Sequence, residues 1–479
     1  MAASFLSRAA SNGNQKTYTI SVWVKSTVNY GYRVIVGSDM SNDAQNHATL
    51  AIDGDNLKFY QLTGNDWGTL QVSTRLLRDS NSWYHIVARV DTTQSTAANR
   101  VRLYINNEQV LVFNNNNIPD QNENTAMFRY PTVVGARRIT SPDYRWSGYM
   151  AHLHICEGQS YEPTKFGQYD STTGEWKPIL SPTSVSYGDN GAFLKFENAS
   201  ALGTDSSGQG HTFTVHGDMK QSISTTSNNF NTINYNEAFS VGLASATKYG
   251  GTSWKDAYSG YDGPKGATGN LGMASGKWYY EMKYISPSMY SSFGISKANT
   301  LAVSKMINTQ YRSPAIQGND GDGFMCQVGS NSVLIQRGDN TEVQWLSNSS
   351  DGNSGIQVAT NGQICMCAFD LDAGKIWWGI NGTWNTVPGS TTATSSSDIA
   401  SGNNAHKTWT PNGKFFRSGH SEYNRFGNAA EQLLNFGEGR FGTTAVASGN
   451  ADSAGEGVFE YAPPTGFLAI CTKNIKNTG

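Results

Sequence analysis

Seven aromatic residues lie in stretches that read as loops: Tyr30, Tyr32, Trp67, Trp254, Tyr258, Tyr261 and Trp409. A sugar ring offers a C–H face that stacks on an aromatic face, and its hydroxyls need amide or carboxylate partners. Loop residues on a rigid scaffold often carry binding, so these seven are the glycan-binding candidates. The competing reading is that each packs its own loop onto its domain, and the sequence leaves both open. Trp23, Trp83, Trp278, Trp377 and Trp378 fall in strand-like runs and read as core or sheet-packing residues.

Other chemistry is sparse. A retaining glycosidase needs two carboxylates about 5 Å apart, which on a strand means acids two or four residues apart on one face. Neither Glu281 nor Glu175 has such a partner. No nucleophile elbow, zinc-protease helix motif or phosphate loop is present, so no catalytic residue is assigned and the chain is read as no enzyme. His152 and His154 share a strand face without an evident third ligand, so no metal site is assigned. The five cysteines, Cys156, Cys326, Cys365, Cys367 and Cys471, are odd in number and widely spaced. They read as small buried apolar residues rather than a disulfide framework.

The elements that would hold these residues are strands. The 479 residues suggest two to four domains. Charged residues are 15% and the net charge is -2, which gives no electrostatic footprint for nucleic acid or an anionic membrane. In Thr17–Lys25, positions 18, 20, 22 and 24 are apolar against mostly polar neighbours, a strand with one buried face. Trp83–Val90, Val101–Ile105 and Lys277–Ile285 alternate in the same way. In Met150–Ile155, Leu153 and Ile155 face in while His152 and His154 face out. Asp53-Gly54, Asn106-Asn107 and Asn381-Gly382 mark tight hairpin turns, with Val110–Phe113 the expected return strand after the second. The pattern predicts an all-β chain of tandem antiparallel β-sandwiches: residues 1–200, a linker over 201–235, and a second sandwich over 236–479. Residues 383–432 read as a long polar loop. No heptad pattern, secretory leader or membrane-spanning run is found.

The first block resembles laminin-G-like, concanavalin-like jelly-roll domains. The resemblance rests on Trp83-Tyr84-His85-Ile86-Val87, Val101-Arg102-Leu103-Tyr104-Ile105-Asn106 and Trp146-Ser147-Gly148-Tyr149-Met150, with Asn107 where that family has glycine. Some of its members bind calcium, which would place Asp53 and Asp55 as ligands, but the hairpin turn already accounts for both, and no cofactor is expected. The second block resembles a SPRY domain through Ser275–Glu281, Phe293-Gly294-Ile295, Phe369–Asp372, Trp377–Gly382 and Leu434–Gly437.

The pairing, with Phe5–Arg8, Lys16–Lys25, Asp205–His211, Tyr461–Phe467 and Ala469–Thr472, is similar to tailed-bacteriophage virion proteins. That resemblance implies a virion structural protein, a tail fibre or other host-facing appendage that binds host surface polysaccharide without cleaving it. Its implied partners are other virion proteins and copies of itself, a trimer being favoured, with no nucleic acid and no membrane insertion. It would be made in the host cytoplasm without a signal peptide and released by lysis. The alternatives are a head or neck decoration or assembly protein with no receptor role and, behind it, a polysaccharide hydrolase.

Overall fold

The computed structural model describes residues 4–39, 46–63, 66–234, 249–255, 264–285, 290–297, 323–328, 333–337, 343–347, 360–387, 394–423 and 431–478. The chain is nearly all-β and divides into two compact units, Met1–Thr226 and Ser227–Gly479, each built of largely antiparallel sheets.

In the first unit, an eight-stranded sheet runs in the order Phe113–Asn117, Asp66–Leu76, Asn56–Thr63, Asn46–Asp53, Tyr32–Asp39, Thr132–Val134, Phe5–Arg8, Thr214–His216. A six-stranded sheet faces it: Ala192–Leu194, Gly148–Glu157, Thr17–Ser26, Tyr84–Asp91, Val101–Ile105, Glu108–Gln109. Alternation sends Tyr18, Ile20, Val22 and Val24 from one sheet, and Leu50, Ile52, Leu57 and Phe59 from the other, into a shared core. The turns form where the sequence marks them. Asn106 and Asn107 both take positive φ, 50° and 70°, the geometry of a twist-matched two-residue hairpin turn.

Four expectations need correction. The return strand after Asn107 is only Glu108–Gln109; the chain then crosses to the other sheet as Phe113–Asn117. The segment 201–235 is not a free linker, because Thr214–His216 pairs with Phe5–Arg8. The polar face of Thr17–Ser26 is also buried, Thr19, Ser21, Trp23 and Lys25 included. A layer from residues 157–194 covers that side. Trp176 Nε1 donates to His85 Nδ1 at 3.0 Å, and Phe166, Tyr187 and Phe193 pack with Cys156. His154 points away from the central core as expected, yet it is 1% exposed, stacked on Phe193 at 3.9 Å. Finally, residues 383–432 are not one loop. They contain the capped helix Ser396–Ala400 and the strand Phe416–Tyr423. That strand has a neighbour on each side, and its Ser418 and His420 are buried polar residues, which hid it from a hydrophobicity pattern.

In the second unit, Ser253–Lys255, Glu431–Asn435, Lys277–Ile285, Ile364–Asp370, Lys375–Ile380 and Thr383–Trp384 form one sheet. Pro264–Thr268, Phe416–Tyr423, Tyr290–Lys297, Gly323–Val328, Val333–Arg337 and Val343–Ser347 form the other. Trp254, Trp278, Tyr280, Phe293, Cys326, Cys365, Cys367 and Trp378 share the core between them. All five cysteines are free and buried. Trp377 points the opposite way from Trp378, into a second apolar cluster with Tyr279, Met366, Phe459 and Phe467.

Candidate functional site

The structure divides the seven candidate aromatics. Trp254 is fully buried in a core strand and is a packing residue. Trp409 is half-buried, stacked on Phe324 at 4.7 Å and packed against the core of the second unit. Trp67 lies in the strand Asp66–Leu76 rather than a loop. Tyr258 and Tyr261 lie outside the described residues. Tyr30 is 37% exposed, and Tyr32 opens the strand Tyr32–Asp39. Among the described residues, Tyr32 belongs to a cluster that a ligand could reach.

Strand register builds that cluster. Tyr32 pairs with Asp53, Ala51 with Lys58, and Thr49 with Tyr60. Leu50, Ile52, Leu57 and Phe59 take the core side, so period two puts Tyr32, Thr49, Asp53, Lys58 and Tyr60 together on the outer face of the eight-stranded sheet. The chain returns over this face at residues 136–146. The Val34 N–H donates to the Tyr144 carbonyl at 2.7 Å, and the Arg137 N–H to the Asp143 carbonyl at 3.2 Å. A register shift between Val34 and Val36 opens the strand at this point. Gly37 lets the loop lie close: a Cβ there would sit 3.3 Å from the carbonyl oxygens of Ala136 and Arg137.

The side chains interlock. Tyr144, 45% exposed, meets the Tyr32 ring edge-on at 4.9 Å. The Arg137 guanidinium lies 4.7 Å from the Tyr144 ring centre. Lys58 Nζ lies 4.9 Å from the Tyr32 ring and 5.5 Å from the Tyr60 ring. Tyr32 Oη and Thr49 Oγ1 share a hydrogen bond of 2.6 Å. Each cation also meets a carboxylate: Lys58 with Asp53 at 3.2 Å, Arg137 with Asp143 at 2.6 Å, and Arg138 with Asp39 at 3.1 Å. At the surface Lys58 and Arg137 balance Asp53 and Asp143, so the patch offers donors and acceptors side by side with little net charge.

Two features mark it as more than packing. Tyr144 holds φ at 50°, a backbone region that costs a bulky residue energy. The Asp39 side chain is sealed from solvent, and burial pushes its carboxyl up to about 6, against the opposing pull of Arg138 and Arg137. Its Oδ1 has no hydrogen-bond partner among the described residues. Burial also raises the Tyr32 phenol well above its ordinary value. Tyr60 and Tyr144 were missed by sequence reasoning. The alternation that carries Phe59 inward could have placed Tyr60 on the outer face, but nothing local signals the return of residues 143–146 to Val34.

The remaining chemical candidates are occupied structurally. The buried Arg33 guanidinium donates to the carbonyls of Val28 and Gly54 and to Ser26 Oγ, so a cation already sits at the Asp53-Gly54-Asp55 turn. Asp53 pairs with Lys58, and Asp55 lies 3.5 Å from Arg78, which argues against both aspartates turning to calcium. His154 Nδ1 is bonded to the Tyr187 hydroxyl at 2.9 Å. No cluster of three metal-ligating side chains occurs among the described residues. Glu281 is fully buried. Its carboxylate accepts from the N–H groups of Tyr461 and Glu460, from Asn435 Nδ2 and from the Tyr279 hydroxyl, so no substrate could meet it. No described helix is long and apolar enough to cross a membrane.

The family model described as "Concanavalin A-like lectin/glucanases superfamily", of the laminin-G type, matches residues 3–159. No curated protein matches the sequence. Among solved structures, the mouse laminin alpha1 chain, domains LG4-5, is 11% identical over 96% of this chain and 92% of that one, at a TM-score of 0.28. The SPRY domain of human HERC1 is 11% identical over 42% of this chain and 96% of that one, at 0.25. A putative carbohydrate binding protein from Bacteroides ovatus is 13% identical over 45% of this chain and 56% of that one, at 0.28. The matched region 3–159 contains every strand and loop that builds the tyrosine patch.

Proposed function

We propose that this protein binds cell-surface glycans without cleaving them, through the outer face of the eight-stranded sheet of its first unit. The observation that carries the reading is the patch of Tyr32, Tyr60 and Tyr144 interleaved with Lys58–Asp53 and Arg137–Asp143. Tyrosine rings supply apolar faces at little entropic cost. Neighbouring guanidinium and carboxylate groups supply donors and acceptors for hydroxyls. The balanced charge suits a neutral sugar, since no large field is present to select an anion. The lectin-containing superfamily of residues 3–159 agrees with this. That superfamily also holds glucanases, but the carboxylates of the patch are each held by a cation. Neither Asp53 nor Asp143 can turn to a substrate without breaking its ion pair with Lys58 or Arg137.

The finer reading is a tail fibre or other host-facing appendage of a bacteriophage virion. Its support is the resemblance of Phe5–Arg8, Lys16–Lys25, Asp205–His211 and Tyr461–Phe467 to such proteins. The test is adsorption of the purified protein to host and non-host bacteria, with a soluble extract of host surface polysaccharide as competitor. Host-selective adsorption blocked by the extract is expected. A folded protein that adsorbs to neither would favour a decoration or assembly role, and polysaccharide shortened by the protein would revive the hydrolase reading.

A further inference from the structure

Among the described residues, the eight-stranded sheet of the first unit ends on the strand Phe113–Asn117, which pairs with Asp66–Leu76 on one side only. Edge strands are ordinarily guarded by charge, proline or a strong bulge, because their open backbone groups invite another strand. This one is poorly guarded. From Val110 to Ile118 the chain reads Val-Leu-Val-Phe-Asn-Asn-Asn-Asn-Ile, without a charge or a proline, and its one irregularity lies between Phe113 and Asn115. Leu111 and Val112, at 76% and 64%, are the most exposed large apolar side chains among the described residues. Asn116 accepts from Gln71 Nε2 at 2.8 Å, while Asn114, Asn115 and Asn117 are exposed.

We propose that this edge pairs antiparallel with the same edge of a second copy, joining two eight-stranded sheets into one across a two-fold axis. The occupant follows from self-complementarity. A two-fold interface sets a strand against itself, and like charges directly opposite each other would repel. This run has none. With Asn115 on the axis, Asn115 faces its own copy, and an amide both donates and accepts, so asparagine is its own partner. The same register sets Asn116 against the other copy's Asn114 and brings the exposed Leu111 and Val112 beside the end of the other copy's strand. The minimal product is a dimer rather than the trimer that the virion resemblance favours. The inference does not depend on the glycan reading.

Sedimentation equilibrium of the full chain, from micromolar to near-millimolar concentration, tests it with the variants Asn115→Lys and Asn115→Asp. The unaltered chain is expected to dimerise. Each variant alone is expected at half that mass, since like charges then face each other on the axis, and an equimolar mixture of the two should recover the dimer. Val112→Glu, at another exposed position, should also dissociate it, and circular dichroism checks that every variant is folded. A monomeric unaltered chain would overturn the proposal. So would an Asn115→Lys variant that associates as the unaltered chain does, or a mixture that stays monomeric.

Discussion

Both units carry a sheet whose non-core face is rich in aromatics, and they treat that face in opposite ways. In the second unit, Tyr279 and Trp377 on the outer face are covered by Phe459 and Phe467 from the C-terminal stretch. Glu281 fastens the cover through the N–H groups of Glu460 and Tyr461. In the first unit, the loop 136–146 crosses only part of the face, and Tyr144 stays 45% exposed beside Tyr32. Identical residue types thus become core in one place and a reachable surface in the other. What decides is whether a later segment returns to bury them.

The comparison breaks hardest at Trp254. Trp254→Ala should destabilise the second unit by about 3–5 kcal/mol, the ordinary cost of emptying a large aromatic site, and leave the tyrosine patch of the first unit intact. Denaturant unfolding followed together with glycan binding checks this. A variant with normal stability and weakened binding would mean that Trp254 is a ligand contact after all.

Acid should separate the units next. Burial holds His85 down to about 3 and lowers His154 and His152 as well. In the second unit burial holds His406 near about 4 and His420 near about 3. Between the unfolded value of about 6.5 and these folded values, the unfolded chain binds more protons, so stability falls as pH falls. Asp39, raised by burial to about 6, and Glu281, raised by burial to about 7, act in the opposite sense in the first and second unit respectively. They bind a proton more readily when folded, so each adds stability as pH drops through its folded value. Three histidines against one carboxyl in the first unit, and two against one in the second, predict that the first unit loses more stability between pH 6.5 and 4. Melting temperatures of the two transitions against pH would show it, and a second unit that melts first in acid would contradict it.

Much of this architecture is legible in the sequence because alternation and turn chemistry agree. Tyr18, Ile20, Val22 and Val24 reach the core as the period demands, and Asn106-Asn107 turns as its residues prefer. Less legible are features set by distant chain. Thr19 and Ser21 read as a solvent face, yet they are buried where residues 157–194 return over them, and Lys25 is buried against Ser224, Trp83 and Tyr149. Phe416–Tyr423 reads as loop, since its partners rather than its hydrophobicity make it a strand. The patch was partly visible: Tyr32 stands out in the sequence, while Tyr60 and Tyr144 join it only through pairing and the bulge at Val34–Val36.

A smaller effect sharpens the same contrast. Gly37→Ala adds a Cβ 3.3 Å from two loop carbonyls, so loop 136–146 must shift by a few tenths of an ångström. A cost of about 1 kcal/mol is expected, with a larger loss in glycan affinity than in stability. Equal stability and affinity to the unaltered chain would show that the close seating of the loop is immaterial.

The central claim is that sugar meets protein at the tyrosine patch, and titration calorimetry with host surface polysaccharide tests it most directly. Tyr144→Ala, at a solvent-exposed ring, should keep the fold and lose about tenfold or more in affinity, which corresponds to about 1.4 kcal/mol. Trp409→Ala, if folded, should bind as the unaltered chain does. Undiminished binding by Tyr144→Ala would contradict the account and send the search to another surface.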